Sequence, residues 1–383
     1  MKFNILFSFL LLFFTICLSR EKLDDYFLEK AINNLYNYKF EESLNYLDSC
    51  INNNSLHPAP YFLKIANNWL YTQTTKGYEA SYDMIYSEVY STIPIYDNLI
   101  KTNPDLAEYY LFLGSSYGLM ARVGLAKKKW LNVFKSGYKG YSSIQEAKKI
   151  NPNLYDVYMP IGLMQYFASL SPKPVKWISN FIGIKPDKAV GLENLTIAYN
   201  KSMFSWIESG TILIYAYLYF ENNLQLAKEI SGNLNQYFPN HPYFLYFYSE
   251  ALLRLNEIEL FENKINILKD KPLNYPSFLK KECEVKFNYL MALYYYKINE
   301  FEKSIFHCDW VLNNYDLEMD WLLGYTYLLI GKIKDLHGQR KTAKMFYEKV
   351  IELDNLFVYN KWAREYIENP FLNIKKDPLF LQK

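Results

Sequence analysis

The stretch YLLIGKIKDLHGQRKTAKMFYEKVIEL, residues 327–353, decides the fold. Its apolar residues recur at three and four, the spacing of one helix face. Two antiparallel helices can approach closely where small side chains meet a large one. Counted in a unit of about 34 residues, Gly331 and Ala343 are the small residues at positions 8 and 20. Tyr347 is the large one at 24, and Val350 at 27 receives the next helix, with Tyr327, Gly338 and Leu353 at 4, 15 and 30. Three further copies share the frame. Ala292, Phe301, Ser304, Cys308 and Val311 take positions 8, 17, 20, 24 and 27. Leu218, Ala227, Leu234 and Pro239 take 11, 20, 27 and 32, with Tyr215 where a small residue is wanted at 8. Near the N-terminus Phe27, Ala31, Phe40, Ser43, Leu47 and Cys50 take 4, 8, 17, 20, 24 and 27. No hairpin dipeptide competes, so the expected fold is all-α, an array of helix pairs.

Two central units fit once insertions are allowed. Tyr110, Leu113, Gly114 and Tyr117 open one, but its closing Gly140, Ile144, Ala147 and Pro152 arrive late, which places an insertion at about 122–138. Tyr158, Ile161 and Gly162 open the next, closed by Gly191, Leu195 and Ala198 after an insertion at about 171–189. Loop-closure entropy grows only as about 1.5 RT ln n, so such additions are tolerable. A degenerate copy runs from Ser249 to Phe261, and 58–99 reads as two more helices. Residues 20–383 are therefore expected to form one solenoid of about five to seven helix pairs.

The spacing is that of the tetratricopeptide repeat. Around Gly162 the segment Gly162-Leu163-Met164-Gln165-Tyr166-Phe167, then Ser169-Leu170-Ser171-Pro172-Lys173-Pro174 and Phe181-Ile182-Gly183-Ile184-Lys185-Pro186-Asp187, leads to Gly191-Leu192. This block resembles a tetratricopeptide-repeat family that includes a mitochondrial outer-membrane protein of inclusion-body clearance. It is more similar still to exported bacterial repeat proteins, which Pro104-Asp105, Tyr117-Gly118, Ala121-Arg122 and the 237–242 segment also suit. The resemblance covers most of 25–370, with its specific block at about 104–242, and implies a helical-repeat fold without catalytic residues. Ile182–Pro186 departs from the family's small and charged turn and the chain lacks any mitochondrial character, so membrane attachment does not carry over.

Of 383 residues, 50% are hydrophobic and 19% aromatic, with 38 Tyr, which excludes a disordered chain. The net charge of +2 gives no reason to expect nucleic acid as a partner. Lys2 followed by the apolar run 5–18 reads as an export signal over 1–19, too short to span a bilayer comfortably. A lipoprotein with Phe14-Thr15-Ile16-Cys17 as its lipobox and an uncleaved N-terminal anchor are the alternatives. The expected location is the bacterial periplasm or cell envelope. Cys50, Cys283 and Cys308 show no metal spacing and read as packing residues, with a Cys283–Cys308 bridge as the alternative.

Gly114-Ser115-Ser116-Tyr117-Gly118 matches a nucleophile elbow in letters, yet no strand precedes it. His57, His241, His307 and His337 are scattered, and no phosphate-binding loop occurs. No enzyme activity, cofactor or metal is expected. The expected function is a protein-interaction scaffold holding an unidentified protein or peptide in a concave groove lined by first helices. Asn34, Tyr109, Tyr117, Gln165, Tyr217 and Tyr294 are its candidate contacts. The alternative is a lipid- or envelope-associated adaptor using 171–189, where Trp177, Ile178, Phe181 and Ile182 form an amphipathic stretch beside Lys173 and Lys176. Lys127, Lys128, Lys129 and Arg122 form a second basic patch. Aromatics at positions 4, 17 and 24 are expected to supply bulk between paired helices.

Overall fold

The computed structural model describes residues 23–270, 275–318, 320–355 and 357–380, without the side chains of Pro174, Val175, Ile178 and Phe181. The export signal expected at 1–19 lies outside the described residues, as do the Ile178 and Phe181 side chains of the amphipathic stretch. Contacts divide the chain into two compact units, up to Pro160 and from Ile161 onward. Every long regular element among the described residues is an α-helix.

The first unit contains α1 (23–36), α2 (Phe40–Asn53), α3 (Ala59–Lys76), α4 (Tyr78–Thr102), α5 (Ala107–Ala126) and α6 (Trp130–Ile150). The unit boundary falls within α7 (Tyr158–Leu170). The second unit continues with α8 (Lys173–Phe181), α9 (Lys188–Lys201), α10 (Trp206–Tyr219), α11 (Leu224–Tyr237) and α12 (Pro242–Arg254). It ends with α13 (Ile258–Asp270), α14 (Ser277–Lys297), α15 (Phe301–Asn314), α16 (Trp321–Leu336), α17 (Arg340–Glu352) and α18 (Tyr359–Glu368). Most helices consecutive in sequence pack on one another, α7 packs on α9 through Gly162 and Gly191, and α12 also packs on α14 and α14 on α16 as first helices of successive pairs.

One turn recurs between the two helices of a pair. Lys39, Lys129, Glu257, Glu300 and Gln339 each donate an N–H to the carbonyl five residues back, at 2.8–2.9 Å. The residue before each is left-handed: Tyr38, Lys128, Asn256, Asn299 and Gly338, with φ between 53° and 72°. This closes the first helix by satisfying its orphan carbonyls. Only Gly338 adopts that conformation without a Cβ penalty, and nothing lies within 4 Å of where its Cβ would stand. Gly338→Ala should therefore cost about 1–2 kcal/mol through backbone strain alone, read as a lower urea midpoint with unchanged slope.

The packing positions expected from the 34-residue frame recur in space. Ser43 Oγ donates to the Ala31 carbonyl at 2.9 Å and Ser304 Oγ to the Ala292 carbonyl at 2.7 Å, in each case position 20 to position 8. Cys50, Leu234, Val311 and Val350, all at position 27, are fully buried. The copy containing Tyr215 is one residue out. After α10 the turn is longer, with Asn222 left-handed and Asn223 N–H donating to the Tyr217 carbonyl six residues back. Tyr215 is thereby carried to Phe247 and Trp321, at ring distances of 4.9 and 6.1 Å.

The two insertions take different forms. Residues 122–138 lengthen both members of a pair: α5 and α6 have 20 and 21 residues, against 14 for α11 and α15, about two turns more each. Residues 171–189 instead hold α8, in the connection between α7 and α9. Cys50, Cys283 and Cys308 are free and buried, and burial pushes the Cys50 and Cys283 thiols up to about 12. Ser116 lies inside α5, fully buried, its hydroxyl donating to the Phe112 carbonyl at 2.8 Å. No helix among the described residues is long and apolar enough to cross a membrane.

Candidate functional site

Of the six residues expected to line a groove, three lie in the first unit and three in the second. In the first unit Asn34 donates to the Lys30 carbonyl of its own helix at 2.9 Å. Tyr109 is buried, which raises its phenol pKa, and Tyr117 packs on the Ile85–Val89–Met120–Val123 cluster with the Lys139 ammonium 5.1 Å from its ring. In the second unit Gln165 accepts from Asn194 of α9 at 2.6 Å. Tyr217 is half-buried, and burial raises its phenol. Tyr294 donates to Glu262 of α13 at 2.6 Å, and its ring stacks on Phe261. In α7 and α14 these side chains tie a first helix to a neighbouring helix.

Helix geometry sets which side of a first helix each position faces. At about 100° per residue, positions 5, 9, 12 and 13 fall about 40–140° around the helix from position 8. Positions 3, 10 and 11, where the six candidates lie, fall at about 200–300°, on the opposite side. In the second unit the first group turns inward. It comprises Tyr246, Glu250 and Arg254 on α12, Tyr289 and Tyr296 on α14, and Lys332 and Asp335 on α16. All seven are buried. The inner side is closed across its width, with Tyr219 of α10 4.3 Å from Trp321 and 5.8 Å from Tyr325 of α16, ring to ring.

At its centre lies an ion pair with no solvent exposure. Arg254 Nη1 meets Glu250 Oε1 at 3.2 Å, both side chains fully buried. Glu250 Oε2 accepts from the Tyr219 hydroxyl at 2.6 Å and the Tyr246 hydroxyl at 2.9 Å. Burial, reinforced by that carboxylate, holds both phenols well above their ordinary pKa. The remaining guanidinium donors reach the Leu218 carbonyl at 2.9 Å, the Asn222 side chain at 2.8 Å and the Leu379 carbonyl at 3.0 Å. Such spread-out donation suits arginine's planar fork.

The last of these partners belongs to the chain's own C-terminal segment. After α18 the chain turns back, and 371–380 lies against the first helices. Asp377 is the anchor: Lys332 Nζ stands 2.6 Å from Oδ1, both fully buried, and the Tyr296 hydroxyl donates to Oδ2 at 2.7 Å. Burial lowers the Lys332 ammonium pKa, and Asp377 opposes that shift. The rings of Trp362, Tyr366 and Phe371 surround the ammonium at 5.3–5.6 Å. Asn222 donates to the Pro378 carbonyl at 3.0 Å. Phe380 stacks on Tyr296 with Lys297 4.3 Å over its outer face, and Phe371 N–H donates to Asp335 at 2.8 Å. Two carbonyls, one carboxylate and apolar side chains of a short segment are thus held by three first helices, α12, α14 and α16, and by Asn222 in the turn after α10.

Sequence reasoning missed this site, though a signal was present. The small residue at position 8 is followed directly by a charged one in Ser249-Glu250 and Gly331-Lys332, within helices otherwise rich in leucine and tyrosine. A charge at position 9 among such neighbours has to be paired once buried. No protein-family model matches the chain, and no characterised protein matches it in sequence.

Proposed function

We propose that the chain is a non-enzymatic interaction scaffold of the cell envelope, which binds a protein or peptide on the inner faces of its first helices. One observation carries this reading: 371–380 is already held as a peptide would be, by Arg254, Lys332 and Tyr296 on those faces and by Asn222 in the turn after α10. Repeat arrays recognise extended segments on such surfaces because successive first helices repeat similar positions along it. Export rests on the 1–19 pattern, and membership of the tetratricopeptide family on the residue spacing.

The test uses the full chain with a protease site in place of the exposed Glu368-Asn369-Pro370. After cleavage the tail fragment should stay bound and exchange with an added labelled peptide of residues 371–383. The Asp377→Asn peptide should compete about a hundredfold less well, because it leaves Lys332 buried without its countercharge. A cut segment that never exchanges, or that exchanges equally for either peptide, would reduce the tail to a structural plug and end this reading.

A further inference from the structure

The extended α5–α6 pair ends in a tip whose surface differs from the rest of the first unit. Between Tyr109 and Gln145 the sequence holds six cations (Arg122, Lys127, Lys128, Lys129, Lys135 and Lys139) and no acid. Lys127 is committed to Asp83 and Glu79 of α4, at 2.9 and 3.3 Å. That contact fixes the tip against α4. Lys128, Lys129 and Lys135 are exposed, with no acidic partner among the described residues. Beside them Trp130 is 58% and Leu131 80% exposed, and Phe134 and Tyr138 continue the apolar stripe along α6.

Leaving such residues in water is unfavourable, and the helix pair gains nothing internally from them. Gly124 and Val133 already form the seam between α5 and α6. We propose that this tip docks on an anionic lipid surface, Trp130 and Leu131 entering the headgroup–acyl boundary while Lys128, Lys129 and Lys135 meet lipid phosphates. The pattern fits a bilayer better than an acidic protein surface. An indole and a leucine this exposed beside a helix turn suit a medium that wets them from all sides, and long lysine stems let their charges stay at headgroup level while the apolar neighbours go deeper. The tip is distinct from α8, and the inference is independent of the inner-face reading.

Co-sedimentation of the full chain with phosphatidylcholine vesicles, with and without phosphatidylglycerol, tests it. The N-terminal segment with Lys2 and the apolar run 5–18 is the same in wild type and variants, so the change in the difference between the vesicle types is what is read. Wild type should favour the phosphatidylglycerol vesicles, and salt should weaken that preference. Lys128→Ala with Lys129→Ala should reduce it about thirtyfold, from about fivefold per lysine near an anionic surface. Trp130→Ala with Leu131→Ala should reduce binding to these vesicles at least about tenfold. Both double variants alter exposed positions, so their helical circular dichroism should be unchanged. No phosphatidylglycerol preference in wild type, or an undiminished one in both variants, overturns the proposal. So does a preference lost only in Trp177→Ala, which would place the contact on α8.

Discussion

Replacing Arg254 by methionine is expected to lower the stability of the second unit by about 3–5 kcal/mol, the range for removing one partner of a buried ion pair. The substitution strands three groups at once. Glu250 keeps two tyrosine donors but loses its countercharge, and the Leu218 and Leu379 carbonyls lose donors in a place water does not reach. The attraction within a buried pair roughly offsets its desolvation, so the pair itself need not be a large net gain. The expected loss therefore comes from the asymmetry of a half-removed network. Glu250→Leu combined with Arg254→Met should consequently be less destabilised than Arg254→Met alone. Urea unfolding of the two variants and wild type checks both statements. A single variant within about 1 kcal/mol of wild type would mean the guanidinium is hydrated, contrary to the geometry described.

The same network shows what a linear reading of the chain can and cannot deliver. Positions 8, 20, 24 and 27 are legible because each is set by a helix meeting a neighbour close in sequence, and the composition must repeat wherever that contact repeats. Ser43 to Ala31 and Ser304 to Ala292 are the same hydrogen bond twice, twelve residues apart in both cases. The partners of Asp377 obey no period: Lys332 is 45 residues away, Tyr296 is 81, and the Arg254–Leu379 bond spans 125. Nothing in the spacing of a repeat says where a tail outside the repeats will lie. The Tyr215 offset has a different origin. One extra turn residue at Asn222 rotates α10 by about 100° relative to the frame carried back from Ala227.

The tyrosine content is relocated for the same reason. Phe27, Phe40, Tyr110, Phe301 and Tyr327, at positions 4 and 17, are only half-buried, whereas Tyr219, Tyr246, Tyr289, Tyr296 and Tyr325 are almost fully buried on the inner side. Tyr347 at position 24 is the member of the expected set that does fill a core gap. An inner side built around Glu250, Arg254, Lys332 and Asp377 needs side chains that pack as rings and still donate hydrogen bonds, and tyrosine does both. Tyr219, Tyr246 and Tyr296 each place a hydroxyl on one of the two carboxylates.

Tyr347 also governs the second large effect. Gly331→Ala is expected to cost about 2–3 kcal/mol, near the upper end of the range for overpacking, although it adds only one methyl group. A Cβ at position 331 would stand 2.5 Å from Tyr347 Cε1 and 2.8 Å from Cδ1, far inside contact distance. Rings often relieve such a clash by tilting. This one is held at both ends, its hydroxyl donating to Asp335 Oδ2 at 3.0 Å and its outer side packed on Tyr366 at 5.6 Å. Asp335 cannot follow the ring, since its carboxylate also receives Arg340 and the Phe371 N–H at 2.9 and 2.8 Å. The strain must pass into the α16–α17 crossing itself. Tyr347→Leu should cost a similar amount alone, by leaving a cavity and removing one of the three donors to Asp335. In the double variant the new methyl group occupies space the ring vacates, so the two losses should fall short of additive by about 1 kcal/mol or more. Thermal or urea unfolding of the four proteins closes the cycle. Strict additivity would mean that Gly331 and Tyr347 do not face each other, and the 8-to-24 register of this helix pair would be wrong.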